Sequence, residues 1–230
     1  MQQEIDDDGG WGPPVEVLPS PWPELGELLH LSPGHFIGIG AAPGSREAEV
    51  GYDLALHAAA HGVRALLFAP SFPARNPVPN LTIQRRPTLS PETVEQDVAS
   101  FAHLPDPVGL VVIDHFHLMT PVVPEPRYTD DPMDDPEDTQ PADQAADTGR
   151  RLKMLAVNAA YHKPTVVVMA RITPPADSNG PLALEHLGLA AELVYDTDTL
   201  LLLNRTTDTM DVHIAKDRFG PAPTRTTIRW

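Results

Sequence analysis

Four runs of consecutive apolar residues limit what this chain can fold into more than any other feature of the sequence. They cover His35 to Gly40, Val63 to Ala69, Val108 to Asp114 and Pro164 to Ala170. A strand that is apolar on both faces is typical of a parallel sheet with helices on both sides. Between the first two runs, Glu47 to His61 has small or apolar residues at helical spacing. This alternation predicts an α/β fold, with a mostly parallel sheet and helices on both faces.

Weaker patterns place the other elements. Helices are expected over Pro23 to Leu29, after an N-cap at Ser90, over Thr148 to His162 and over Leu182 to Leu193. Strands are expected over Leu81 to Gln84, Thr199 to Asn204, Asp211 to Lys216 and Arg225 to Trp230. Because 230 residues amount to one ordinary domain, residues 18–230 are predicted to form a single folded unit.

Acidic segments lie outside this predicted core. Residues 1–17 combine acidic residues with Gly and Pro and lack apolar periodicity, which predicts a disordered acidic tail. Residues 121–147 are rich in Pro, Asp and Glu, with Arg127 as their only basic residue, which predicts a mobile acidic loop insert. The net charge of the whole chain is -16. Nucleic-acid binding relies on Lys and Arg that neutralise phosphates, so this charge predicts weak or no direct DNA binding.

Targeting signals are not recognisable in the sequence. No apolar run is long enough to span a bilayer, and the acidic residues Met1 to Gly10 do not resemble a secretory signal. The chain contains no cysteine, which excludes disulfides and thiolate metal sites. We therefore expect a cytoplasmic protein that does not bind membranes.

A candidate phosphate-binding loop follows the first apolar run. A strand that ends in glycine, then a loop with Pro and Gly, then a helix, is the arrangement of a P-loop. The corresponding residues are Pro43, Gly44, Ser45, Arg46, Glu47 and Ala48. A later apolar strand ends in Asp114, where nucleotide-binding proteins carry an acidic residue that orders Mg²⁺. These two features alone occur in many α/β folds.

A longer series of segments resembles, in order, the motor domain of replicative DNA helicases of the DnaB type. Leu18 to Leu28 is similar to "(V/L)PTGF-x-ELD-x-L", Phe36 to Pro43 to the P-loop strand, and Leu110 to Met119 to "VIDYLQLM". Arg150 to Ala156 and Lys163 to Met169 resemble "S-R-x-L-K-x-LA" and "VPV-x-x-LSQ". Asp196 to Arg205 resembles "DADVV-x-FLYR", and Ile214 to Pro221 resembles "(I/V)AK-x-R-x-GP". The resemblance implies a RecA-like P-loop NTPase fold with ATP and Mg²⁺ as ligands, without the separate N-terminal domain of that family.

The P-loop departs from the family where ATP chemistry is done. Without gaps, Arg46 takes the last glycine position, Glu47 the lysine and Ala48 the hydroxyl residue; a one-residue gap instead puts Arg46 at the lysine position. A carboxylate in place of an ammonium turns attraction into repulsion, about 4 kcal/mol each way at ~4 Å and an effective dielectric near 20. Ser71 occupies the position of the catalytic Glu and cannot be a general base without its own activator. We expect a vestigial turn; the alternative is weak anion binding by Arg46 and the helix N-terminus.

Three retained residues have roles that the resemblance implies. Asp114 would order Mg²⁺, or alternatively accept N–H groups at the end of its strand. Lys216 and Arg218 match the "K-x-R" pair that, in the family, reaches into the ATP site of a neighbouring subunit. Strand alternation places both on one face. Their alternative role is a surface pair that solvates the end of the strand.

His115 and His117 raise the possibility of a metal site. If the strand continued through them, the two rings would share a face and could reach one metal ion. No third ligand is identifiable by spacing, so no metal site is expected.

The leading hypothesis is an ATPase-deficient relative of the replicative helicase motor, with a binding or regulatory role in DNA replication or repair. We expect no cofactor, weak self-assembly, and an intact DnaB-type helicase or another basic protein as partner. One alternative is a working ATP-dependent helicase subunit whose neighbour supplies the missing groups, so whether the chain is an enzyme stays open. The other is an acidic interaction module on a RecA-like scaffold.

Overall fold

The computed structural model describes residues 18–26, 29, 31–42, 47–73, 76–119, 141–173, 182–205, 208–220 and 222–229. Its strands are β1 (Phe36–Ala41), β2 (Arg64–Phe68), β3 (Leu81–Gln84), β4 (Val108–Asp114), β5 (Thr165–Arg171), β6 (Thr199–Arg205), β7 (Thr209–Asp217) and β8 (Thr224–Arg229). Its α-helices are α1 (Pro23–Gly26), α2 (Glu47–Ala60), α3 (Pro91–Phe101), α4 (Pro141–Val157) and α5 (Leu193–Asp196). Three 3-10 helices cover Phe116–Leu118, Ala159–Tyr161 and Leu184–Glu192.

The strands form one sheet with the order β3-β2-β4-β5-β1-β6-β7-β8. Pairing is parallel from β3 through to β6, and β7 and β8 add antiparallel strands at one side. The chain leaves β1 toward β2 on one side and returns on the other side as β6. This change of direction places a crevice outside the carboxyl end of β1, where open α/β sheets bind ligands. The predicted mostly parallel sheet is confirmed.

Side chains alternate between two separate cores, one on each face of the sheet. Along β5, Val167 and Met169 pack with α1 and α2, whereas Val166 and Val168 pack with α3, α4 and the 3-10 helix over Leu184–Glu192. The strands are therefore buried on both sides, which explains their unbroken apolar sequence. Helices on both faces, as predicted, are confirmed. Among the described residues, no helix combines the length and apolar character that a membrane span requires.

The segment from Leu18 to Leu31 packs against the chain's own sheet. The large apolar side chains that the structure describes in this segment are in the core on the α2 face: Leu18, Trp22, Leu25, Leu29 and Leu31. An antiparallel bridge from Leu18 to Leu31 closes the segment on itself. These apolar side chains are therefore already buried within one chain.

The acidic insert predicted over residues 121–147 is wrong in its last part. Helix α4 begins at Pro141, so residues 141–147 are helical, and the predicted helix start at Thr148 is too late. Proline is tolerated in the first turn of a helix, and Asp143 there interacts favourably with the helix dipole. The helix also ends earlier than predicted, because the Asn158 side chain caps the following 3-10 turn. Residues 121–140 and the predicted tail, residues 1–17, lie outside the described residues.

The helix predicted over Leu182 to Leu193 is also wrong. This stretch is a 3-10 helix over Leu184–Glu192, and only Leu193–Asp196 is α-helical. Gly188 has φ 55 and ψ -128, which no right-handed helix accommodates. Glycine adopts this backbone without a steric penalty, so the apolar spacing alone could not reveal the break. Helix α1 is described from Pro23 to Gly26, residues 27 and 28 of the predicted helix lie outside the described residues, and the backbone N–H of Leu29 donates to the carbonyl oxygen of Leu25 at 2.7 Å.

Candidate functional site

The carboxyl edge of the sheet, where the parallel strands end, carries the sequence-predicted nucleotide residues. Pairing aligns Ala41 at the end of β1 with Arg171 at the end of β5. Pro43, Gly44, Ser45 and Arg46 lie outside the described residues. Glu47 begins α2, although its side chain is not described, and Ala48 is half-buried against the core. Ser71 is exposed in the turn after β2, at the same edge.

Helix α2 runs close over β4 and β5 toward this edge. A Cβ atom added to Gly51 would lie 3.1 Å from Val112 and 3.6 Å from the sulfur of Met169. The first turn of α2 precedes Gly51, so it extends beyond these two residues toward the strand ends. Asp114 and Arg171 lie two positions further along the same strands. Because side chains alternate, both are on the face that α2 covers.

Asp114 is buried at the end of β4, where the sequence predicted it. Its side chain faces His115, with Oδ1 2.9 Å from Nδ1. The two atoms are not aligned for a hydrogen bond, and within the described part of the chain neither has another hydrogen-bond partner. Asp114 therefore does not act as an acceptor for backbone N–H groups through Oδ1. Its position fits an acidic residue directed at a ligand beneath α2.

His115 and His117 do not share a strand face, so that premise of the sequence interpretation is wrong. Strand β4 ends at Asp114, and the chain turns into the 3-10 helix Phe116–Leu118. The backbone N–H of Arg171 donates to Nδ1 of His117 at 3.4 Å. Burial lowers the pKa of His117, and the positive charges of His115 and Arg171 lower it further. No group of three or more His, Cys, Asp or Glu side chains that could hold a metal ion occurs among the described residues.

The amino edge of the sheet, where the parallel strands begin, holds a buried carboxylate. Asp198 is fully buried just before β6. Its Oδ2 accepts hydrogen bonds from Nζ of Lys153 at 2.5 Å and from the backbone N–H of Phe36 at 2.9 Å. Nη1 of Arg218 lies 3.1 Å from Oδ1. A buried charge is tolerated only when it is paired and hydrogen-bonded, so Lys153, Phe36 and Arg218 explain how Asp198 remains inside. We call these four residues the Asp198 network.

Lys216 is tied to the same edge through backbone carbonyls. Its Nζ donates to the carbonyl oxygens of Val194 at 2.6 Å and Thr197 at 2.5 Å, at the C-terminal end of α5. A cation is favourable at a helix C-terminus. Burial lowers the pKa of Lys216, and the nearby Arg218 lowers it further, whereas Asp198 and Asp196 oppose the shift.

A bulge in β7 directs Lys216 toward α5. The pairing shifts between Leu200 and Leu201, so that Leu200 pairs with Lys216 and Leu201 with Ile214. The extra residue, Ala215, turns the following side chains to the opposite face of the strand. Lys216 and Arg218 consequently lie together on the α4 and α5 side, next to Asp198.

Lys216 and Arg218 lie far from the chain's own carboxyl edge. The six residues of β1 separate the two edges, a span of about 17 Å at ~3.3 Å per residue. The pair cannot reach the chain's own candidate P-loop across this distance. Any ligand that Arg218 contacts must therefore approach from outside the amino edge.

Sequence reasoning assigned no role to Lys153, Asp198 or Arg171. Lys153 and Asp198 lay within segments that match family motifs, and an Asp directly before an apolar strand is a signal of a buried, paired charge. Arg171 follows six buried residues of β5 and is exposed. A charged residue at the carboxyl end of a buried parallel strand is the signal that could have identified it.

Comparisons with known proteins give matches only among solved structures: no protein-family model and no curated protein sequence matches the chain. The ATPase domain of the protein named G40P has a TM-score of 0.65 and 16% identity, with 85% of this chain and 81% of that chain covered. A DnaB-like replicative helicase, described with its interactions with primase, has a TM-score of 0.74 and 16% identity. That match covers 99% of this chain and 66% of the helicase chain.

The likeness establishes the fold and leaves the activity to be argued from the site. In all, 475 solved chains match, and a shared fold does not by itself fix a function. The strand order and the two-sided helical cover described above agree with these matches. The protein therefore has the RecA-like fold of the motor domain of DnaB-type replicative helicases, as the sequence resemblance predicted.

Proposed function

We propose that the protein is a degenerate DnaB-like motor domain that hydrolyses ATP poorly or not at all and has a binding or regulatory role in DNA replication or repair. One contrast between the two edges of the sheet supports this proposal. At the amino edge, charged residues from three family-like segments are assembled in the Asp198 network. At the carboxyl edge, positions 47, 48 and 71 hold Glu, Ala and Ser.

The expected loss of ATP turnover follows from those three positions. Glu47 begins α2 at the carboxyl edge, and an acidic residue in place of the P-loop lysine is expected to repel phosphates. Ala48 has no oxygen to offer Mg²⁺. Ser71 is in an exposed turn and cannot activate water in the way that a carboxylate does. Phosphoryl transfer depends on positioning and charge stabilisation, and each of these groups contributes to one of the two.

The proposed binding surface is the amino edge. The Arg218 side chain is 50% exposed although one of its nitrogens is paired with Asp198. Exposed apolar residues lie at the same edge, namely Met154 at the end of α4, Tyr195 on α5 and Phe219 beside Arg218. An exposed guanidinium among apolar side chains suits a protein partner that presents an anion. An intact DnaB-type motor, with a nucleotide at its own boundary, would present such an anion.

Weak self-assembly is part of the same proposal. The described apolar side chains between Leu18 and Leu31 pack within their own chain, so they are not available to a neighbour. The net charge of -16 adds repulsion between copies, and this repulsion grows as salt is lowered. A monomer or weak dimer is therefore expected in isolation.

An enzyme assay in two stages tests this function. The purified protein alone should hydrolyse ATP no faster than buffer, with or without single-stranded DNA; steady turnover that Asp114→Asn abolishes would overturn the proposal. Mixed with an intact DnaB-type helicase, the protein should co-purify with it and change its ATPase rate. Arg218→Ala should reduce that change severalfold, whereas the matched control Arg225→Ala, on the edge strand β8, should not. An unchanged rate with Arg218→Ala would reject the proposed role of the amino edge.

A further inference from the structure

The C-terminal end of α2 carries two histidines that are one helical turn apart. Three alanines separate His57 from His61, and residues at positions i and i+4 lie on the same face of a helix. The two rings are adjacent, with centroids 4.3 Å apart and planes tilted by 43°. We propose that this pair is a binding site for a divalent transition-metal ion of the Zn²⁺, Cu²⁺ and Ni²⁺ group.

Backbone hydrogen bonds at the end of α2 fix the position of His61. Its backbone N–H donates to the carbonyl oxygen of His57 at 3.2 Å, so the helical turn continues through His61. The N–H of Val63 then donates back to the carbonyl oxygen of Ala58 at 3.0 Å. Gly62 has a φ of 85°, the left-handed conformation in which many helices end. The spacing between the two histidines is therefore set by the helix and by the turn that closes it.

A further hydrogen bond determines which nitrogen of His61 is free to bind a metal. Nδ1 of His61 lies 2.9 Å from the carbonyl oxygen of His57. A carbonyl oxygen only accepts, so Nδ1 carries the proton and donates it. In the neutral ring, Nε2 is then unprotonated and its lone pair is available to a metal ion. Metal-binding histidines commonly donate their other ring N–H to a carbonyl or carboxylate, and His61 has this arrangement.

The ligand atoms select the class of metal ion. Imidazole nitrogen suits Zn²⁺, Cu²⁺ and Ni²⁺, whereas Mg²⁺ and Ca²⁺ take oxygen ligands. No group of three or more metal-binding side chains occurs in the described part of the chain, so water would fill the remaining positions. Zinc proteases with the same histidine spacing carry a Glu general base directly after the first histidine, where this chain has Ala58. The site should therefore bind a metal ion without catalysing hydrolysis.

The pair is accessible and lies far from the candidate nucleotide site. His61 is exposed and His57 is half-buried. Helix α2 connects the end of β1 to the start of β2, so it begins at the carboxyl edge and ends at the amino edge. Its 14 residues span about 20 Å at ~1.5 Å per residue. The proposed metal site is thus independent of the proposed function.

Calorimetric titration of the full chain, free of any purification tag, with Zn²⁺ in a large excess of Mg²⁺ tests the site. The Mg²⁺ occupies carboxylates without competing for imidazole. We expect one Zn²⁺ to bind per chain. His57→Ala should weaken binding by about tenfold or more, because losing even a group that only supports a metal ligand costs about 10–100-fold.

A second variant separates metal binding from the structure of the helix end. In His61→Asn, the side-chain amide can still donate to the carbonyl oxygen of His57, but no Nε2 remains. This variant should lose Zn²⁺ affinity as His57→Ala does, while its circular dichroism and its urea unfolding without metal match those of the intact chain. The matched control is His103→Gln, which removes an exposed imidazole just after α3 and should change the affinity less than twofold.

Thermal unfolding gives a second readout. Zn²⁺ should raise the unfolding temperature of the intact chain, because an ion bound by the folded pair stabilises the folded state by mass action. The effect should be absent in His57→Ala and His61→Asn.

Four outcomes would overturn the proposed metal site. They are no saturable binding at submillimolar Zn²⁺, binding that excess Mg²⁺ abolishes, full affinity in either His57→Ala or His61→Asn, and an equal loss in His103→Gln. The second of these would place the ion on carboxylates. ATP turnover enters none of these measurements, so failure of the metal site leaves the proposed function untouched.

Discussion

The amino edge and the carboxyl edge of the sheet differ in how their charged residues are paired. At the amino edge, Asp198 is buried and its partners come from the starts or ends of three elements that are distant in sequence. At the carboxyl edge, Arg171 is exposed and has no ion pair within the described residues. An oxygen without a hydrogen bond does not distinguish the edges, because Oδ1 of Asp114 and Oδ1 of Asp198 both lack one. Charges that satisfy one another hold the fold together, whereas charges left unsatisfied at a strand end are available to a ligand. Within the described residues, the difference separates an edge held together by ion pairs from an edge with an unpaired arginine.

The same contrast between the two edges bears on the stability of a chain that resembles a motor domain but differs from it at the P-loop. The proposed absence of ATP turnover would not disturb the fold, because positions 47 and 71 lie at the start of α2 and in an exposed turn. Loss of Lys153 or Asp198 would instead leave an unpaired charge inside the protein. Substitutions at the P-loop positions are therefore expected to cost less stability than substitutions in the Asp198 network.

The largest expected effect is on the amino edge, where Asp198→Ala should destabilise the protein by about 3–5 kcal/mol. The substitution removes the acceptor of Lys153 and of the Phe36 N–H, and leaves the lysine partly buried without its partner. Unfolding in urea, followed by circular dichroism, measures the loss.

The control for this prediction is Asp106→Ala, which removes an exposed partner of Arg64 and should cost no more than ~1 kcal/mol. If Asp198→Ala does not fold, Asp198→Asn keeps an acceptor for Phe36 and should be folded but destabilised. Equal losses for Asp198→Ala and Asp106→Ala would show that the Asp198 network has no special role in stability.

The sequence was sufficient to predict the sheet, but it was not sufficient to predict the Asp198 network at the amino edge of that sheet. Unbroken apolar runs such as Val108 to Asp114 identify buried parallel strands because both faces must be apolar. The bond from Lys153 to Asp198 joins residues 45 positions apart, and that from Phe36 to Asp198 joins residues 162 apart. Such pairs depend on where the sheet brings the elements, which no local pattern encodes.

The bulge in β7 is a second feature that local sequence patterns could not predict. Simple alternation gave the correct result that Lys216 and Arg218 share a face, but not which face. The register shift at Ala215 depends on how β7 pairs with β6, and nothing in the local sequence marks it. The position of Asp114 at the end of β4 could be predicted because a strand-ending Asp is a local feature, and its role stays a prediction.

A middle-sized effect on DNA affinity is expected when the negative charge of residues 121–140 is removed. Deleting residues 121–140 and joining their ends with a short Gly/Ser linker should strengthen binding to single-stranded DNA severalfold at low salt, because phosphate repulsion falls. The deletion must stop at Gln140, since Pro141 begins α4. Fluorescence anisotropy at several salt concentrations measures the change. Unaltered affinity, or tight binding by the intact chain, would contradict the expected weak DNA binding.

The smallest expected effect concerns the pH dependence contributed by His117. Its pKa in the folded protein is lowered below 6.5 by burial, then by His115 and Arg171. As pH falls through 6.5, the unfolded chain binds a proton that the folded protein does not, so the protein loses stability on the acid side. Solvent screening keeps this loss below about 1 kcal/mol. His117→Gln should remove it from the pH profile of urea unfolding.

Nuclear magnetic resonance titration of the histidine rings gives the matching measurement. The pKa of His117 should rise toward its usual value in Arg171→Ala, because one of the neighbouring positive charges is gone, and Arg225→Ala should leave it unchanged. A His117 that titrates identically in all of these samples would show that its ring is remote from Arg171.

The central position of β1 in the sheet has a consequence for folding while the chain is being synthesised. A ribosome releases β1 before β5 and β6, yet these are the strands that pair with its two sides. About 160 residues separate the end of β1 from the end of β6, which is on the order of 10 to 30 s at 5–20 residues per second. During that time an apolar strand has two open edges, a condition that favours aggregation. Truncations that end before Arg205 should therefore be insoluble, whereas loss of the outer strand β8 leaves both sides of β1 paired.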